Sequence, residues 1–189
     1  MSTGTTGLDS RRAQCLTWVL ASRARLAAAL GDRLARAVGS TAGTAIPDAG
    51  DREALLLRGD LYLGIVALDQ ALTSARWAAG APAEGSRGAV VPARGAARPP
   101  VPSDAADDLP MPLAELEAAR QRVRSVRNLI VHLDDRRAAS LPAALDVDPA
   151  GVRASQGGAA SSLTFDEWAG WLDALDAWAS AGLGAAGAT

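Results

Sequence analysis

Apolar residues return at helical spacing in four stretches of the chain. In the first, from about Ser10 to Val38, Trp18, Leu26, Leu30, Leu34 and Val38 recur mostly at steps of four, with Arg23, Arg25, Arg33 and Arg36 largely off that stripe. Gly31 weakens this helix by ~1 kcal/mol relative to alanine and predicts a bend, and Gly39 predicts its stop. The second stretch runs from about Asp51 to Ala79, capped by Asp48 or Asp51. Its stripe is Leu57, Leu61, Ile65, Leu68 and Leu72, with Asp60, Asp69 and Arg76 elsewhere on the helix. The third opens near Pro112, a residue suited to a first helical turn. Its seam repeats at alternating threes and fours through Leu116, Ala119, Val123, Val126, Ile130 and Leu133, with a row of Arg120, Arg124 and Arg127 beside it. The fourth starts at Thr164. Thr164 and Glu167 have capping-box spacing, and Trp168, Trp171 or Leu172, Leu175 and Trp178 face one side.

The intervening segments are unlike these. Residues 80–112 are rich in Gly, Pro, Ala and Arg, basic at the start and acidic at the end, and predict a disordered low-complexity linker. Residues 138–163 predict a second loop, in which Val147, Val152 and Leu163 could join a short hairpin around a Gly/Ser-rich stretch. The expected architecture is all-α: a four-helix bundle in one domain over 8–182, with a long disordered loop between helices 2 and 3 and disordered termini at 1–7 and 183–189. No strand-turn-helix unit carries a glycine-rich loop, so nucleotide-binding P-loop and Rossmann sites are not expected.

Composition narrows the chemistry. Of 189 residues 44 are alanine, so the five tryptophans must supply much of the bulky burial, and a packed core explains them better than a base-stacking platform. All 19 basic residues are arginine, yet the net charge is −2, which argues against a strongly basic nucleic-acid binder. The arginine bias is global, as GC-rich codon usage produces, and locates no site. The lone Cys15 rules out an intramolecular disulfide and multi-thiolate zinc, and reads as a small core residue. One histidine cannot build a His-based metal cluster, so neither metal nor cofactor is expected. Met1 to Leu8 lacks the pattern of a signal peptide, and no run reaches ~18 apolar residues. The expectation is a cytoplasmic protein without a membrane role.

One short segment is chemically distinct: Arg127-Asn128-Leu129-Ile130-Val131-His132 holds the only asparagine and the only histidine of the chain. An arginine, a polar residue, three further residues and a histidine, late in a helical layout, resembles the hallmark of the HEPN superfamily. That resemblance implies a small helical bundle. Many HEPN members are metal-independent RNA endonucleases acting as toxins, phage-defence effectors or RNA-processing enzymes, usually as homodimers with two motifs facing one cleft. Other members are non-catalytic. Carried onto this sequence, it implies Arg127 and His132 as catalytic residues, Asn128 and Arg124 as supporting phosphate-binding residues, and RNA and an antitoxin or other protein as partners. Asp134 stands where a tyrosine marks the HEPN toxins that have nucleotidyltransferase partners.

The residue types suit that chemistry. Histidine exchanges protons near neutrality, and arginine stabilises phosphate charge through paired N–H donors. In a regular helix, however, five steps separate Arg127 from His132 by about 140° and ~7.5 Å of rise. Bringing them together requires a bent helix end or a second subunit. The competing reading is a non-catalytic helical interaction module, with Arg127 paired to an acidic residue such as Asp134 or Glu117, and Asn128 and His132 on the surface.

Overall fold

A computed structural model describes residues 5–33, 52–78, 109–132 and 143–186. Among the described residues the chain is mostly helical, with four α-helices, but it is not all-α. Helix α1 spans Thr5–Ala28 and continues into a π turn over Ala29–Arg33. Helices α2 (Arg52–Ala78) and α3 (Leu113–His132) follow. Strands β1 (Ala143–Asp148), β2 (Gly151–Gln156) and β3 (Ala159–Thr164) then lead directly into helix α4 (Phe165–Ala186). Of the linker expected over 80–112, residues 80–108 lie outside the described residues, as do Leu34, Val38, Gly39, the cap positions Asp48 and Asp51, and Leu133, whereas at its end Met111 is buried and Leu109 packs against the core. Among the described residues no helix is long and apolar enough to cross a membrane.

The most extensive packing is between α1 and α2, which run antiparallel. Small residues make it close. The buried face of α1 is Cys15, Val19, Ser22, Leu26 and Ala29, alternating steps of four and three. This corrects the expected stripe: Leu30 is 40% exposed, and Trp18 packs only at the margin of the core. Counting large apolar side chains misplaced the face, because its contacts are built from Cys, Ser and Ala. The bend expected at Gly31 is present, with φ −69° and ψ −146° interrupting the helix. Helix α1 also begins before Ser10, and α4 continues past Gly182. Arg11 lies 4.6 Å over the Trp77 ring and Arg12 5.2 Å over Trp178, tying the two helix ends to the body.

Ser22 anchors three helices at one point. The indole N–H of the fully buried Trp168 on α4 donates to Ser22 Oγ at 2.9 Å, and the Ser22 hydroxyl donates to the Gly64 carbonyl of α2 at 2.9 Å. Gly64 is required by the ring: a Cβ there would sit 2.8 Å from the nearest Trp168 carbon. Trp168, Trp178 and the half-buried Trp18 and Trp171 therefore serve the core, as expected.

Within the loop expected over 138–163, the described residues from Ala143 onward form an antiparallel sheet ordered β1-β2-β3, while 138–142 lie outside the described residues. Its buried face carries Leu145, Val147, Val152, Ala154 and Leu163. The anticipated hairpin trio forms one row across the sheet, Val147 opposite Val152 and Val152 opposite Leu163. Two tight turns make it. Asp148 Oδ1 accepts from the amides of Ala150 and Gly151 at 2.7 and 3.0 Å. Gly157 and Gly158, with φ 57° and 86°, supply the positive-φ pair of a two-residue hairpin. Each strand offers one or two large apolar residues in six, too short an alternation to stand out in an alanine-rich sequence.

The sheet follows α3 in the chain and leads into α4. Helix α3 packs chiefly on β3 and also on β2, while α1 links α2 to α4. The α4 cap is the expected box: Thr164 Oγ1 accepts from the Glu167 amide at 3.1 Å, and Glu167 Oε2 accepts from the Thr164 amide at 3.2 Å. Glu167 also pairs with Arg122 of α3. Burial pushes the Glu167 carboxyl up, but the Thr164 hydrogen bonds and the Arg122 guanidinium outweigh it and hold it below its usual value.

Replacing Gly64 with alanine should overpack the Trp168 ring and lower stability by about 1–3 kcal/mol. Urea unfolding followed by tryptophan fluorescence measures this, and an unchanged midpoint would contradict the close three-helix contact.

Candidate functional site

The site is built on α3. Leu113 starts the helix after Pro112, whose carbonyl accepts from the Leu116 amide at 3.0 Å. Leu116, Ala119, Val123, Val126 and Ile130 are buried as the seam pattern requires. The next row of α3, Glu117, Arg120, Arg124 and Arg127, faces a polar row of α2 made of Asp69, Thr73 and Arg76. Both rows step at threes and fours, so antiparallel helices match them rung by rung. Arg76 pairs with Glu117. Arg120 Nε donates to Thr73 Oγ1 at 3.2 Å and also approaches Glu117 at 3.5 Å. Arg124 Nε lies 3.4 Å from Asp69 Oδ1, and Arg127 pairs with Asp69 Oδ2.

Asp69 is the centre of this ladder. Its side chain is 2% exposed, whereas those of Arg127 and Arg124 are 29% and 36% exposed. A buried carboxylate between two guanidiniums is stable only with both partners in place. Asp60, Asp69 and Arg76 lie off the apolar stripe of α2, yet all three are buried, because α1, α3 and α4 all pack against this helix. Asp60 is held by Arg25 of α1 at 2.9 Å.

Arg127 therefore turns toward α2. Its acidic partner is Asp69, on another helix, rather than Glu117, which is engaged by Arg76 and Arg120; Asp134 lies outside the described residues. Arg127 also donates to Asn128 Oδ1 at 3.2 Å. Asn128 itself is exposed and lines a polar groove of about 320 Å3 with Glu117, Arg120, Gln121, Arg124 and Ser125. Gln121, Ser125, Asn128 and the position of His132 follow one another at steps of four, three and four. The backbone of α3 remains helical through His132, its last residue. The bend that would carry His132 round to Arg127 is not there, and the two positions keep their separation of about 140°.

The structure thus brings Arg124 and Asn128 to one groove, sets His132 at the end of the same ridge, and assigns Arg127 to the inter-helix ladder. Across that ladder the guanidiniums of Arg76, Arg120, Arg124 and Arg127 meet the carboxylates of Asp69 and Glu117. Asp69 is the residue sequence reasoning missed. Its signal was an acid inside the apolar Leu68–Leu72 stretch, four and seven residues before Thr73 and Arg76. Among the described residues no group of three His, Cys, Asp or Glu side chains could hold a metal ion. No family model matches the chain, and no characterised protein or solved structure matches it.

Cys15 does not compete as a nucleophile. It is fully buried, with Sγ 3.6 Å from the Ala71 carbonyl. Burial, with Asp176 adding to it, pushes the thiol up to about 12, so the thiolate is absent at neutral pH. Iodoacetamide at pH 8 should leave folded protein unmodified and alkylate Cys15 only in denaturant. Rapid labelling of the folded chain, read by intact mass, would contradict this burial.

Proposed function

We propose that this chain is a HEPN-like protein of the toxin or phage-defence type, a metal-independent RNA endonuclease that acts as a homodimer. One observation carries the reading: Arg120, Arg124 and Asn128 line one polar groove on the ridge of α3 that ends at the sole histidine. Arginine N–H donors there suit the oxygens of a phosphodiester. In the cleavage step a base takes the proton of a 2′-hydroxyl, whose oxygen bonds to phosphorus. The bond from phosphorus to the 5′-oxygen breaks, and an acid protonates that oxygen. The products are a 2′,3′-cyclic phosphate and a 5′-hydroxyl. Two proton transfers call for two groups, and each chain has one histidine. A second copy supplies the other, and it also supplies the meeting of Arg127 and His132 that a regular α3 prevents within one chain.

A second reading, the non-catalytic helical interaction module, is favoured by the engagement of Arg127 with buried Asp69. In that reading the ladder only joins α2 to α3, and an exposed face binds a protein partner.

RNA incubated with purified protein and chelator separates the two. The ribonuclease reading predicts products ending in cyclic phosphate, and a loss of roughly 100-fold or more in rate for His132→Ala. Equal cleavage by the wild type and His132→Ala, or no cleavage of structured and unstructured RNA alike, would leave the interaction module as the account of the fold.

A further inference from the structure

The two edges of the sheet differ in how they are defended. Proteins guard exposed strand edges with charges, prolines or bulges, because unpaired backbone N–H and C=O groups recruit other strands. On the β1 edge stand Asp146 and Asp148, followed by Pro149. The β3 edge, Ala159-Ala160-Ser161-Ser162-Leu163-Thr164, has no charge, no proline and no bulge. Ala159, Ala160 and Ser162 are exposed, and among the described residues β3 pairs only with β2. A recess of about 290 Å3 spans β2 and β3, running from Asp148 and the β1–β2 turn past Arg153 to Ala160–Thr164.

We propose that β3 is a self-pairing edge, joined antiparallel to β3 of a second copy so that two three-stranded sheets become one of six. Electrostatics select this occupant. An uncharged strand meets its own copy without like charges opposed, whereas β1 against itself would confront aspartates across the seam. The pleat limits the register. Opposed residues must share a face, so the two-fold axis passes through Ser161 or through Ser162, and either choice sets only uncharged side chains opposite one another. The fold gives the pairing a consequence. Because α3 packs chiefly on β3, the joined sheet carries both α3 helices, and with them both copies of Arg127, Asn128 and His132, on one face. The dimer stands on the edge alone, while its link to RNA cleavage rests on the reading above.

Sedimentation of the full chain at tens of micromolar tests it. The wild type should run at twice the mass of the chain. Ala160→Lys and Ser162→Lys, made singly, should each weaken self-association roughly tenfold or more. Ala144→Lys, on the β1 edge, should leave the dimer intact. Two independent positions keep the test decisive if one variant does not unfold cooperatively. A monomeric wild type, or a dimer indifferent to both β3 lysines, overturns the proposal. RNA cleavage assayed on the same samples separates the two ideas. A β3 dimer that cleaves no RNA upholds the pairing and defeats the ribonuclease reading, and cleavage by a chain indifferent to both lysines does the reverse.

Discussion

Asp69 is a carboxylate almost without contact with water, placed in the middle of the helix that the other three surround. Removing a charge from water costs several kcal/mol unless partners replace the lost hydration. Arg127 replaces it with a hydrogen bond to Oδ2 and Arg124 adds a charge 3.4 Å from Oδ1, and they can do so only if α3 runs antiparallel to α2 at one register. That register then sets Arg120 against Thr73 and Glu117 against Arg76. It also holds the apolar seam of α3 over the core and fixes the side of α3 on which the sheet docks. The contact between α1, α2 and α4 at Ser22, Gly64 and Trp168 secures the other half of the molecule by packing and two neutral hydrogen bonds. The ladder secures this half by charge.

The same constraint divides the Arg-Asn-His segment between two tasks. Consecutive residues on a helix point about 100° apart, so Arg127 and Asn128 cannot both face α2. Arg127 reaches Asp69, and Asn128 is left on the groove with Ser125 and Gln121. A guanidinium that neutralises a buried acid remains a cation at the surface when it is partly exposed, as Arg127 is. Its structural service and a phosphate-binding role are therefore compatible, and in the ribonuclease reading the second depends on the first.

How much of this was legible in the sequence follows from residue size and charge. The stripes of α2 and α3 were readable because Leu, Ile and Val repeat at helical spacing with little interruption. The cap of α4 was readable because Thr164 and Glu167 are a local pair. The face of α1 was misread by one step, since Cys15, Ser22 and Ala29 make close contacts without looking hydrophobic. The sheet was seen only as Val147, Val152 and Leu163, correctly grouped but not extended into strands. Asp69 and Arg76 were set aside as off the stripe, because charge on a helix usually means solvent and only tertiary structure shows α2 packed against three other helices. Asn128 and His132 stood out by their rarity and spacing and Arg124 by its place in the arginine row, whereas the partner of Arg127 could not be read in that way.

The claim that Asp69 fixes α3 on α2 is most directly tested by a double-mutant cycle. Asp69→Ala, Arg127→Ala and the double variant would be unfolded in urea and followed by tryptophan fluorescence. Arg127→Ala should be the costlier single change, by about 3 kcal/mol, because it strips a partner from a buried carboxylate, whereas Asp69→Ala leaves guanidiniums that still reach water. The coupling energy between the two sites should be about 0.5–3 kcal/mol, toward the lower end because Arg127 still touches water. Strictly additive effects, with a small cost for Arg127→Ala, would contradict the account.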